Sequence, residues 1–171
     1  AARDAGGGSL TISGVTVGGV AASQVVQSRS DALGVVSIAA LWIAEVPTGT
    51  SGNVVVTFSE DASRMNVATY RMVNQTSPTA ADTDTSQSEP GTVSLSIPTG
   101  GAAIGVSVVG NSAGSTCSLT GMSENIDEGI GGSTGSFWAA GLNTTSDGDT
   151  AMAFNWTNEP TTSDAVFASW G

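Results

Sequence analysis

The chain has 171 residues, with four arginines and no lysine against 15 acidic residues, for a formal net charge of −11. Such a balance repels a phosphate backbone and an anionic membrane surface, so no nucleic-acid partner is expected, and no apolar window is long enough for membrane insertion. The single cysteine, Cys117, rules out an intramolecular disulfide, and the lack of histidine removes ordinary zinc and copper chemistry together with a histidine general base.

In chain order, residues 1–9 (AARDAGGGS) read as an N-terminal arm that makes an assembly contact, followed by one domain over residues 10–171. No cleavable signal is read at the start, since no apolar run follows Arg3. Short runs of Val, Ile, Thr, Phe and Trp between clusters of Gly, Pro, Asn and Ser then predict strands and no helices. They span Leu10 to Val17, Ala21 to Gln27, Val35 to Val46, Asn53 to Ser59 and Met65 to Val73. The segment Asn74 to Gly91 has almost no apolar residues and predicts a surface loop or a crossover between sheets. Further strands are expected at Thr92 to Ile97, Ala103 to Val109, Ser115 to Thr120, Ser136 to Leu142, Thr150 to Trp156 and Ala165 to Trp170, with an acidic loop over Met122 to Gly135. The fold class that follows is all-β: a two-sheet antiparallel β-sandwich of about ten strands, jelly-roll or immunoglobulin-like.

One phrase recurs. EVPTGTSGNVVVTF at Glu45 to Phe58 returns as SIPTGGAAIGVSVV at Ser96 to Val109, and NEPTTSDAVFASW echoes it around Pro160. Pro47 and Pro98 end their strands because proline offers no ladder N–H, and Gly49 and Gly100 supply positive φ for a turn. Each copy predicts a hairpin.

Candidate chemistry is scattered. GNSAG around Ser112 and GGSTG around Ser133 match a nucleophile elbow in letters only, since no helix follows and no histidine can act as base. Glu45 with Glu124, Asp127 and Glu128 offers the carboxylates of a glycosidase without a matching spacing. No catalytic residue is assigned, and no enzyme is expected. Asp82 with Asp84, and Asp147 with Asp149, offer oxygen ligands for a structural calcium ion, although SDGD is equally a turn. Trp42, Trp138, Trp156 and Trp170 fall in predicted strands, where packing is their usual role; exposure of one or two would make a sugar-stacking platform.

The runs VTVGGVAASQVV, LWIAEVPTGTSGNVVVTFSEDASRMNVATYRMV and GAAIGVSVVG resemble β-sandwich proteins associated with the virions of tailed bacteriophages and prophages. The resemblance implies a non-enzymatic structural role on a virion surface, as a head decoration protein, head fibre or tail-associated module. Its partners would be copies of itself or other virion structural proteins. The alternative expectation is a carbohydrate-binding module of an adhesin or secreted glycan-active protein, with a surface glycan as ligand.

Overall fold

The computed structural model describes residues 1–4, 8–46, 51–110, 114–129, 136–144, 146–158 and 162–171, and the side chains of all of these but 136 and 137. Among them the chain is all-β, with antiparallel sheets packed face to face, as the sequence predicts. The N-terminal strands are β1 (Ala2–Asp4), β2 (Ile12–Val17), β3 (Val20–Ala21), β4 (Ser23–Ala32), β5 (Val35–Ile43), β6 (Val54–Phe58) and β7 (Arg64–Met65). The C-terminal strands are β8 (Asp82–Ser86), β9 (Gly91–Ile97), β10 (Ala102–Gly110), β11 (Cys117–Thr120), β12 (Ser123–Gly129), β13 (Ser136–Asn143), β14 (Gly148–Trp156) and β15 (Thr162–Trp170).

The C-terminal half builds the sandwich. One sheet has the order β12-β13-β10-β15-β8, and the second, β11-β14-β9, covers one of its faces. Alternation along the strands sorts the residues: Val93, Leu95 and Ile97 of β9 point inward and meet Phe154, Phe167, Ala165 and Val109. The Phe154 and Phe167 rings lie 5.4 Å apart, tilted by 40°, a spacing typical of aromatic pairs. The opposite face of the five-stranded sheet is covered too. There Val106, Val108, Trp138, Ala140 and Val166 pack against Ala39 in the N-terminal sheet β4-β5-β1-β7. That double covering makes all nine residues of β15 buried, the pattern expected of a strand with no wet face. A fourth, small sheet, β3-β2-β6, lies beyond the N-terminal one, joined to it through Leu10, Ile12 and Phe58 against Val36 and Ile38. Four sheets are therefore packed together, with β5 between two of them: its Ala39 face meets the five-stranded sheet, and its Val36 and Ile38 face meets the small one.

Several elements depart from the sequence reading. Ala2–Asp4, read as part of an N-terminal arm that makes an assembly contact, is a strand between β5 and β7 of the same chain, pairing Ala2 with both Ile38 and Met65. The stretch read as a loop or crossover over Asn74 to Gly91 contains β8, which pairs with β15, and the expected acidic loop contains β12, the edge of the five-stranded sheet. Both are edge strands with polar outward faces, which conceal the period-2 signal. The Pro-Thr turn at Pro98 has the expected geometry, with Gly100 at φ 76° and Gly101 N donating to Pro98 O at 2.8 Å. It does not close a hairpin, however: β9 and β10 belong to different sheets. Residues 47–50 and 159–161, which hold Pro47, Gly49 and Pro160, lie outside the described residues. The strands flanking them, β5 with β6 and β14 with β15, also belong to different sheets. At Pro98 the phrase marks a corner between layers.

Candidate functional site

Two places gather functional groups. The first is Asp164, fully buried on the face of β15 that meets the N-terminal sheet. Its Oδ1 accepts from Ser28 Oγ at 2.6 Å and Gln87 Nε2 at 3.3 Å. Its Oδ2 accepts from Ser30 N at 3.1 Å, Ser30 Oγ at 2.6 Å and Ser37 Oγ at 2.5 Å. All five donors are neutral. Strand periodicity explains the convergence: Ser28 and Ser30 are two apart on β4, so both point to one face, and Ser37 sits beside Ser30 in the β4–β5 register. A carboxylate so enclosed offers no approach to a substrate. It fastens the sandwich to the third layer.

The second place is a cleft of about 1130 Å³ between the small sheet, the outer part of β5 and the extended segment Asn66–Val73. Its floor is the face of the five-stranded sheet carrying Ile104, Val106, Trp138 and Trp170, and its roof includes Val15, Val54 and Phe58. Glu45 and Arg71 are the charged members of this lining. Trp138 and Trp170 are buried, and Trp42 and Tyr70 are half-buried. The indoles are tied down from within: Trp138 Nε1 donates to the Asn66 carboxamide, and Trp170 Nε1 to Pro78 O at 3.4 Å. Trp156, in the other core, donates from Nε1 to Ser107 Oγ at 3.1 Å. Packing is thus the role of three of the four tryptophans, while Trp42 is half-buried at the cleft and its Nε1 has no acceptor.

The carboxylates read as a possible pair are not brought together. Glu45 follows β5 and borders the cleft, whereas Glu124, Asp127 and Glu128 lie on β12. Asp127 Oδ2 accepts from Cys117 N at 2.9 Å and helps push the Cys117 thiol up to about 12, burial being the larger cause. Asp82 Oδ2 accepts from Ser96 N at 2.8 Å, tying β8 to β9, and Asp84 Oδ1 accepts from Thr85 N at 2.7 Å. Asp147 Oδ2 accepts from Thr99 Oγ1 at 3.4 Å, and Asp149 is the second residue of β14. Among the described residues no three Asp, Glu, Cys or His side chains gather as metal ligands. Ser112 and Ser133 lie outside the described residues.

Asp164 was not singled out in the sequence, nor was Glu89, whose Oε1 accepts from Trp156 N at 2.6 Å. Burial raises the Glu89 pKa, with the Trp156 and Ser163 hydrogen bonds opposing. The available signal for Asp164 was an acid inside an apolar strand, SDAVFASW, together with serines at alternate positions of β4. No family model matches the chain, and no curated protein or solved structure matches it either.

Proposed function

We propose that the chain is a non-enzymatic structural protein of a virion surface, working through assembly with copies of itself or with other virion proteins. The observation that carries this reading is the use made of its carboxylates. Asp164, Glu89, Asp127 and Asp82 each accept a backbone N–H from a neighbouring strand, so acidic groups that could serve chemistry serve as ties between layers. The virion setting comes from the resemblance of the sequence, and the exposed Val55, Val67 and Val73 supply apolar surface for contact. At −11 the copies repel one another, so association rests on apolar and hydrogen-bonded contacts and should strengthen as salt screens the repulsion. Sedimentation from about 0.1 M to about 1 M salt, where the Debye length falls from about 10 Å to about 3 Å, reads this directly. Purified particles should carry the chain at fixed stoichiometry, and its absence from them would overturn the reading.

A second reading has one observation in its favour, the half-buried Trp42 and Tyr70 on one cleft, which suits stacking on a sugar face. Glycan-dependent quenching of tryptophan fluorescence would select it.

A further inference from the structure

One residue of the chain breaks two rules at once. β4 and β5 form a hairpin whose register closes at Ala32 opposite Val35, leaving a two-residue turn of Leu33 and Gly34. Both turn residues have positive φ, 52° at Leu33 and 74° at Gly34. That arrangement suits Asn-Gly or Asp-Gly, because a short polar side chain tolerates the left-handed region and a large aliphatic one does not. Leu33 is also 91% exposed, whereas no other exposed large hydrophobic residue among those described exceeds 65%. Backbone strain and uncovered apolar surface thus coincide at one position, and neither contributes to the fold. Strain of this kind persists only where the surroundings fix the conformation, and it collects at functional positions.

Here the surroundings do fix it. The hairpin is clamped just below its tip: Ser28, Ser30 and Ser37 all donate to the buried Asp164, and Gln87 Nε2 donates to Arg29 O at 2.6 Å. Val35 and Val36, which lead away from the turn, are buried. Leu33 stands on a rigid mount, its backbone ordered before any contact is made.

We infer that Leu33 is the anchor of a protein–protein contact, entering a small apolar socket with a basic rim on a different protein. The socket is small because the turn presents one large apolar side chain, between Ala32 and Gly34. The basic rim follows from charge. Asp31, two residues from Leu33, keeps a side chain 47% exposed, and its neighbour Arg29, at 3.5 Å, also donates to the carbonyls of Leu10 and Gly8. The tip therefore offers a carboxylate beside the leucine, on a chain of net charge −11. A second copy meeting tip to tip would set Asp31 against Asp31, and an anionic lipid surface is repelled in the same way, so charge complementarity selects a basic, heterologous partner. This contact deepens the assembly reading and rests on it only for the existence of a partner.

The chain holds six leucines, and of these only Leu33 is exposed. Replacing leucine throughout by its diazirine analogue makes residue 33 the photo-crosslinking probe on the surface, and Leu33→Asn with the same analogue at the remaining positions is the control. Both chains are irradiated in their native setting. The expected result is one other polypeptide, cross-linked through residue 33, absent from the control, joined at an apolar site with Lys or Arg beside it, and displaced by unlabelled wild-type chain. Once purified, that polypeptide should bind Leu33→Asn about ten- to hundredfold more weakly than wild type. Alone, Leu33→Asn should melt about 2–4 °C higher than wild type, because the strain is relieved. The anchor is overturned by the lack of any cross-link that depends on residue 33, by a cross-link to a second copy or to lipid, by a polar or acidic contact site, or by a Leu33→Asn chain that melts lower. The two readings fail separately. A chain present on particles at fixed stoichiometry but silent at residue 33 loses the anchor alone, and a residue-33 partner foreign to any virion removes the virion setting alone.

Discussion

Replacing Asp164 with alanine tests whether a buried carboxylate ringed by neutral donors fastens the sandwich to the N-terminal sheet. Two effects oppose. Removing the charge relieves a desolvation cost of several kcal/mol, while the five donors that were oriented toward it lose their acceptor. Some donors recover. Ser30 Oγ and Ser37 Oγ are 2.9 Å apart and can bond each other, and Gln87 Nε2 already donates to Arg29 O at 2.6 Å. Ser30 N–H is fixed by the backbone and Ser28 Oγ is buried, so about two donors remain orphaned at about 1–3 kcal/mol each. Asp164→Ala should therefore cost about 2–4 kcal/mol, or roughly 4–16 °C in Tm for a chain of this size. The inverse perturbation, Ser28→Ala with Ser30→Ala and Ser37→Ala, strands the carboxylate with few donors and should cost more than Asp164→Ala. Urea denaturation of the Asp164 variant, the serine triple variant and their combination closes the cycle. Combining them should cost less than the triple variant alone, since no bare charge then remains. An Asp164→Ala variant within about 0.5 kcal/mol of wild type, or strictly additive costs, would refute the argument.

Gly100 and Gly121 both have positive φ, but a Cβ at Gly100 meets nothing within 4 Å whereas one at Gly121 falls 2.2 Å from Ala151 O. Gly100→Val should lower stability by about 1 kcal/mol or more and Gly100→Asn by much less, while Gly121→Ala, with strain and overlap together, should exceed Gly100→Ala in a thermal melt. The buried Cys117 thiol, pushed up to about 12 by burial and the nearby Asp127 charge, should resist a thiol reagent at neutral pH in the folded chain and react at once in denaturant. Glu89 is raised by burial, so its folded form holds the proton more tightly than the unfolded chain does. Its contribution is present in full below the ordinary glutamate range and is lost as pH rises through its folded pKa, and Glu89→Gln should flatten that part of the stability profile in denaturation at stepped pH.

Strands with an apolar stripe could be read directly. TVSLSI alternates in the sequence and is buried at Val93, Leu95 and Ile97 in the structure, whereas the near-complete burial of β10 and β15 comes from layers packed on both faces. DTDTS and SENIDEG could not, since β8 and β12 join the sheet at its edges through main-chain bonds that their side chains do not advertise. The Pro-Thr-Gly phrase gave the turn but not its destination, because the same local geometry serves a hairpin and a corner. Asp164 was hidden for a different reason. Its partners Ser28, Ser30 and Ser37 lie more than a hundred residues away in sequence, and only tertiary packing makes a serine into a carboxylate ligand.

The burial of β15 has a consequence for how the protein comes into being on the ribosome. The fifteenth strand in order of synthesis is the one that β10 and β8 flank and that both neighbouring layers pack upon. Until Thr162–Trp170 emerges, β10 and β8 have no strand between them and the two layers that pack on β15 lack that part of their shared floor, so a nascent chain cut short near residue 160 should leave both interfaces incomplete. The five-stranded sheet then closes only once β15 is available. Its distant strand pairings place that step in the slow class, in the range of milliseconds to seconds.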